Sequence, residues 1–339
     1  MDEHEARRLA DAARVYRATL GGPDEPVHAA PLRDAADSLV SAITQLVELS
    51  DVDAALTMCA DLSAFWQDAG LIDAGRAAID TALAAGGSAE PRARGFLTAS
   101  ELAFRQGDQE ATVQLAREAI RLATETGATT VAGKAHINLA RMSFRADDAD
   151  GLARHLDDAE AVADRDPSVT KGVLHLRAWE AYVRGDTAEA RRRFDMSIDF
   201  ARSQGDRFTE AAEQAHIADL DLEVGDVAAA TRRLGHALQV ADETHSAYLL
   251  LSLGTSIARV AVERHRYADA VTMLGAVDAG YRAAGLIGDP TQVQDAKDVE
   301  HRIRGEMVPA EIDAARARGH GMGLVEMPSF MRGVLRSTN

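Results

Sequence analysis

The chain is rich in side chains able to do chemistry, and their spacing decides whether they do any. Eleven histidines and 54 acidic residues offer ligands for a cation. Yet there is no HExxH helix, and no two histidines stand four apart, the spacing that lets one helix face grip zinc. His136, His175 and His216 lie eleven, ten and nine residues before equivalent turn positions in three successive segments. That drift turns them to different helix faces, so packing or lining roles are expected and no metal site. The run from Asp147 to Gly151 (DDADG) opens like a calcium loop, but the bidentate Glu such a loop needs is misplaced, and a capped turn is the expectation. GATTVAGKA, Gly127 to Ala135, approaches a phosphate loop. It has five residues between its glycines where the loop needs four, and Ala135 where a magnesium-binding hydroxyl belongs. No GxSxG elbow is present, and Cys59, the single cysteine, has no histidine placed by spacing to activate it. The expectation is a non-enzymatic chain with no cofactor.

Bulk properties narrow the partners. A net charge of -17 repels a phosphate backbone and an anionic bilayer, so neither direct nucleic-acid binding nor membrane binding is expected. The start, MDEHEARRLADAARVY, lacks the basic stretch and apolar run of a signal peptide, and no long apolar segment follows. With one cysteine there is no internal disulfide, and a cytoplasmic setting is expected. Arginine outnumbers lysine heavily, Lys134, Lys171 and Lys297 being the three lysines, which reads as the codon bias of a high-GC, actinobacterial type of genome.

The elements that must position these residues are helices. Hydrophobic residues make up 46% and aromatics only 4%, and no segment alternates with period two. Six segments align on a turn residue: Gly70, Gly107, Asp147, Gly185, Gly225 and His265, with steps of 37, 40, 38, 40 and 40. Seven residues before each stands a small residue, Ser63, Ser100, Ala140, Ala178, Ala218 and Ala258. Twelve after stand Ala82, Ala119, Ala159, Ser197, Ala237 and Val277. Small residues on both sides of a turn let two antiparallel helices approach closely. Glycine suits the end of the first helix, and Asp108, Asp186 and Asp226 can cap the second. All eight prolines fall at proposed borders or termini, leaving the helices uninterrupted.

This pattern of small residues about a Gly-Asp turn resembles the tetratricopeptide repeat, with a period nearer 40 than the usual ~34. The resemblance implies an all-α fold, a right-handed α-solenoid of TPR-like antiparallel helix pairs. The division it suggests is 1–51 as N-terminal capping helices, near residues 2 to 20 and 32 to 49. Residues 52–286 would form six repeats, and 287–339 C-terminal capping helices and a tail. The tail, with Ala315, Gly319 and Glu326, resembles the end of the C-terminal helical-repeat domain in actinobacterial LuxR-type ATP-binding and antibiotic-regulatory transcription regulators. Neither the nucleotide-binding core nor the DNA-reading helix-turn-helix of those regulators is found in this chain.

In such a stack the first helix of every pair lines the concave side. One helical stripe there gathers Arg94, Glu101, Phe104, Lys134, Arg141, Phe144, His175, Trp179, Tyr182, Asp219 and Arg259 as candidate ligand contacts. Phe104, Phe144 and Tyr182 serve equally as core, and the charged members as cross-helix ion pairs. Arg94, Lys134 and Arg141 make a locally positive patch within an acidic chain. The function expected is a regulatory or sensor module that takes a peptide, a small metabolite or a protein partner in its groove. A pure interaction scaffold, or a homodimer, is the alternative.

Overall fold

The computed structural model describes residues 1–163, 166–288 and 290–336, and among them holds nineteen helices and no strand. Two compact units divide the chain at Asp206 and Arg207. Unit 1 opens with α1 (Glu3–Thr19), α2 (Glu25–Asp34) and α3 (Ala36–Glu48). Pairs follow: α4 (Val52–Asp61) and α5 (Ser63–Asp68) against α6 (Ile72–Ala84), then α7 (Ala89–Gln106) with α8 (Gln109–Thr126). They continue as α9 (Thr129–Arg145) with α10 (Ala149–Ala163) and α11 (Pro167–Val183) with α12 (Thr187–Gln204). Unit 2 comprises α13 (Arg207–Glu223) with α14 (Val227–Thr244), α15 (Ala247–Glu263) with α16 (Tyr267–Ala283), then α17 (Pro290–Ile303), α18 (Pro309–His320) and α19 (Met327–Arg336). The fold is an α-solenoid of antiparallel helix pairs.

The turn register is realised at all six positions. Gly70, Gly107, Gly185 and Gly225 take φ of 69° to 79°, and Asp147 and His265 take the same left-handed conformation at 54° and 56°. Each lets the next N–H reach back to close the helix end, as from Asp108 to the Ala103 carbonyl at 3.0 Å and from Arg266 to Ala261 at 2.8 Å. Asp108, Asp186 and Asp226 then accept from the N–H three residues on at 2.9–3.0 Å, capping the second helices as expected. Asp148 caps Gly151 N at 2.9 Å, so the DDADG run is a turn and a cap. A second left-handed series, Gly127, Gly205, His245 and Gly285, ends the second helices and escaped the sequence reading. Gly127 and Gly133, the glycines of the phosphate-loop lookalike, end α8 and seat α9. A Cβ on Gly133 would lie 2.7 Å from Val162.

The small positions are core except Ser63, which is half-buried at the start of α5. Ser100, Ala140, Ala178, Ala218 and Ala258 are fully buried, as are Ala82, Ala119, Ala159, Ser197 and Ala237. Larger residues complete layers between pairs, such as Leu152, Leu156, Val169, Val173 and Leu176 around Ala140 and Ala159. One expectation fails: Pro31 lies inside α2 rather than before a helix, and the segment expected as one helix from residue 32 is split between α2 and α3. The proline sits in the last turn of α2, where its missing N–H forfeits a single bond, and its carbonyl still accepts from Ala35 at 3.2 Å. Pro167, Pro309 and Pro328 stand in first turns, where no intrahelical donor is lost.

First helices touch first helices. In unit 1 α4 meets α7, α7 meets α9 and α9 meets α11; in unit 2 α13 meets α15 and α15 meets α17. The second helices α8, α10 and α12 make no comparable approach to one another. Closer spacing on one side is what curves each unit toward its first helices.

Candidate functional site

The inner row of unit 1 is stitched by polar side chains reaching from one first helix to the next. Arg94 on α7 binds the buried carboxylate of Asp61 on α4 at 2.6 Å, and Glu101 accepts from Ser63 Oγ at 2.5 Å. Arg105 donates to Gln67 Oε1 at 2.8 Å. From α9, Asn138 donates to Ser100 Oγ at 3.3 Å and holds the Arg141 guanidinium at 3.1 Å on its own amide oxygen. Phe104 is buried, and its ring carries the guanidiniums of Arg105, Arg141 and Arg145 at 5.5, 5.7 and 3.8 Å. Arg94, Glu101, Phe104 and Arg141 thus form one neighbourhood that binds α4–α5, α7 and α9 together.

Lys134 occupies a different part of the row. It is half-buried near the start of α9, and burial together with the charges of Arg17 and Lys171 lowers its ammonium pKa to about 8, against the pull of Glu101 and Asp166. Lys171 itself is held at 2.7 Å by Asp206, which stands against the turn after α1: a Cβ on Gly21 would lie 2.9 Å from its Oδ1. Glu25 accepts from Gly21 N at 2.6 Å, and burial raises its pKa. The end of α1 and the turn beyond it therefore approach the start of α9 and α11, across the inner row. Of the expected positive patch of Arg94, Lys134 and Arg141, Arg94 is neutralised by Asp61, while Arg141 is held on the uncharged amide of Asn138.

A third neighbourhood is aromatic. Trp179 on α11 is half-buried, with Phe194 of α12 beneath it at 5.6 Å between ring centres, edge-on. Phe144, His175 and Tyr182 surround it at 5.8, 6.4 and 5.4 Å. All three are half-buried, whereas Phe194 is core. Such perpendicular and tilted contacts are the favourable arrangements for aromatic rings.

Asp219 and Arg259 belong to unit 2. Arg259 on α15 bridges Asp219 on α13 at 3.1 Å and Asp295 on α17 at 3.0 Å, an ion ladder over three successive first helices. Burial pushes the Asp219 carboxyl up to about 7. Arg259 and a hydrogen bond from Ser256 pull it down, while Asp295 and Glu223 add to the rise. Asp295 is raised as well, again chiefly by burial.

One grouping was invisible to helix-by-helix spacing. His136 of α9 stands beside His155 and Asp158 of α10, with Nδ1 to Nδ1 at 3.3 Å and His136 Nδ1 to Asp158 Oδ2 at 3.5 Å. Burial lowers the pKa of both rings, which favours the neutral imidazole, against the pull of Asp158.

No family model matches the chain, and no curated protein does. Among solved structures, a circular tandem repeat protein with novel repeat topology and enhanced subunit contact surfaces is similar over 99% of this chain and 97% of its own. The identity is 14% and the TM-score 0.22. A score that low carries no argument about shape or function, so the architecture rests on the helix pairs themselves. They define a helical-repeat protein. No helix among the described residues is long and apolar enough to cross a membrane.

Proposed function

We propose that the chain is a non-enzymatic binding module of the tetratricopeptide type, in which unit 1 takes an extended segment of a partner protein along its inner row, anchored on Trp179. The placement of Trp179 carries this reading. A large ring on the inner stripe, floored by Phe194 and walled by Phe144, His175 and Tyr182, has the makeup of a binding hot spot, where Trp, Tyr and Arg dominate. Glu101, Lys134 and Arg141 line the same row with both signs of charge, which suits a polar peptide backbone better than a nucleic acid. The likeness of the tail around Ala315, Gly319 and Glu326 to the ends of LuxR-type regulators supports a regulatory partner in the cytoplasm. Preference of that partner for one curvature of the stack would transmit its binding.

The tryptophans supply the test. Trp66 is fully buried, so a ligand-induced change in intrinsic fluorescence reports on Trp179. Random-sequence peptides displayed on phage should yield binders that shift this emission. Trp179→Ala should weaken them at least tenfold, about 1.4 kcal/mol or more, with helicity unchanged. Binders that ignore Trp179→Ala, or no enrichment at all, would overturn the reading. If Trp179→Ala melts unit 1, as expected of a core ring worth roughly 3 to 5 kcal/mol, Arg141→Glu serves as the second variant.

A further inference from the structure

We propose that His136, His155 and Asp158 form a binding site for a divalent metal ion of the zinc class, clipping α9 to α10. Zinc prefers imidazole nitrogen and carboxylate oxygen in tetrahedral arrays. Two nitrogens bound at about 2.0 to 2.1 Å with tetrahedral angles stand roughly 3.3 to 3.4 Å apart. The two Nδ1 atoms are 3.3 Å apart, and Asp158 Oδ2 is 3.5 Å from the first of them. All three ligand atoms lie within 4.8 Å of one another. The rings are tilted by 38° with centres 5.6 Å apart. Asp158 is exposed, which leaves the fourth position open to water.

The repeat register shows that the packing of the stack does not require this trio. His136 stands eleven residues before the turn residue Asp147, His155 eight after and Asp158 eleven after. In the pair that turns at Gly225 the first two places hold Gln214 and Arg233, which hydrogen-bond directly. In the pair that turns at His265 they hold Gly254 and Met273, where a Cβ on the glycine would lie 3.5 Å from the sulfur. In these two pairs the places face each other as they do in the pair that turns at Asp147, and are filled by ordinary packing or a polar contact. Cys59 with Ala78, Phe96 with Leu115 and Leu174 with Arg193 occupy them in the rest. Only the pair that turns at Asp147 puts an imidazole at both and a carboxylate one turn further on. Neutral imidazole is the form that ligates.

Zinc chloride titrated calorimetrically into metal-stripped full-length protein tests the site. The wild type should bind one equivalent more than His155→Ala and Asp158→Asn, or bind that equivalent at least ~tenfold more tightly, with circular dichroism unchanged. Cobalt in place of zinc should give the intense visible absorption of a tetrahedral site, lost in both variants. A second measurement needs no variant: zinc should protect His136 and His155 from diethylpyrocarbonate while leaving His4 and His301 reactive. Equal zinc binding by wild type and variants, or equal modification of His136 and His155 with and without zinc, would overturn the proposal.

Discussion

Asp219 sits at one end of the charge ladder that joins three first helices of unit 2, and its carboxyl holds its proton to about pH 7 because burial outweighs the pull of Arg259. In the unfolded chain the same group releases its proton near pH 3.9. Between those values the folded state binds more protons than the unfolded one, so this group's contribution is complete below about pH 4, is lost as pH rises, and levels off above about 7. Asp219→Asn keeps the shape and removes the titration. Thermal melts from pH 4 to 8 should show the wild type losing roughly 1 to 3 kcal/mol relative to the variant across that window, the side chain's partial exposure being what limits the loss. Parallel curves for the two proteins would mean that Asp219 ionises freely beside Arg259.

At the scale of elements, the packing of α18 on α16 depends on two residues without side chains. A Cβ on Gly319 would stand 2.1 Å from the Thr272 carbonyl oxygen, and one on Gly275 would stand 2.7 Å from that of Arg316. Backbone cannot swing aside as a side chain can, so Gly319→Ala should cost about 1 to 3 kcal/mol or detach α18, read as a lower melting temperature and faster proteolysis after Met307. An unchanged melt would show that the helices slide apart freely. Gly319 also shows how far the sequence could be read. It stood out there only as part of a resemblance, because the residue it accommodates is some 45 positions away and no local period reveals a backbone contact. The turn register was legible, because glycine in a left-handed turn and aspartate at an N-cap are local necessities. Even Asp147 and His265, which pay strain for φ near 55°, kept their places by spacing alone. The neighbours of the inner stripe were half legible: spacing put Arg94 and Glu101 on the right face, but only packing revealed that Asp61 and Ser63 occupy them. His155 escaped for the same reason as Gly319, since its partner belongs to the facing helix.

Within each unit, most helix contacts join a helix to its own pair or to the next pair along the chain; in unit 1 the turn after α1 also reaches Asp206, and in unit 2 α18 and α19 fold back onto α14, α15 and α16. Stability in such a stack is close to a sum over neighbours, and damage spreads as far as the interfaces it touches. Ala140 is a fitting place to cause damage, being fully buried on α9 where α10 packs against it. Ala140→Leu forces a larger side chain into that contact at a cost of about 1 to 3 kcal/mol. Hydrogen exchange followed by mass spectrometry should then speed up roughly tenfold or more through α7 to α11, since each 1.4 kcal/mol of local opening is a tenfold change in the open population. In α14 to α16 of the same molecules it should stay at the wild-type rate. A uniform acceleration along the chain would instead require every helix pair to open together. That would contradict a stack whose pairs are each stabilised chiefly by the pairs on either side, and would place the strength of the fold in couplings longer than its contacts.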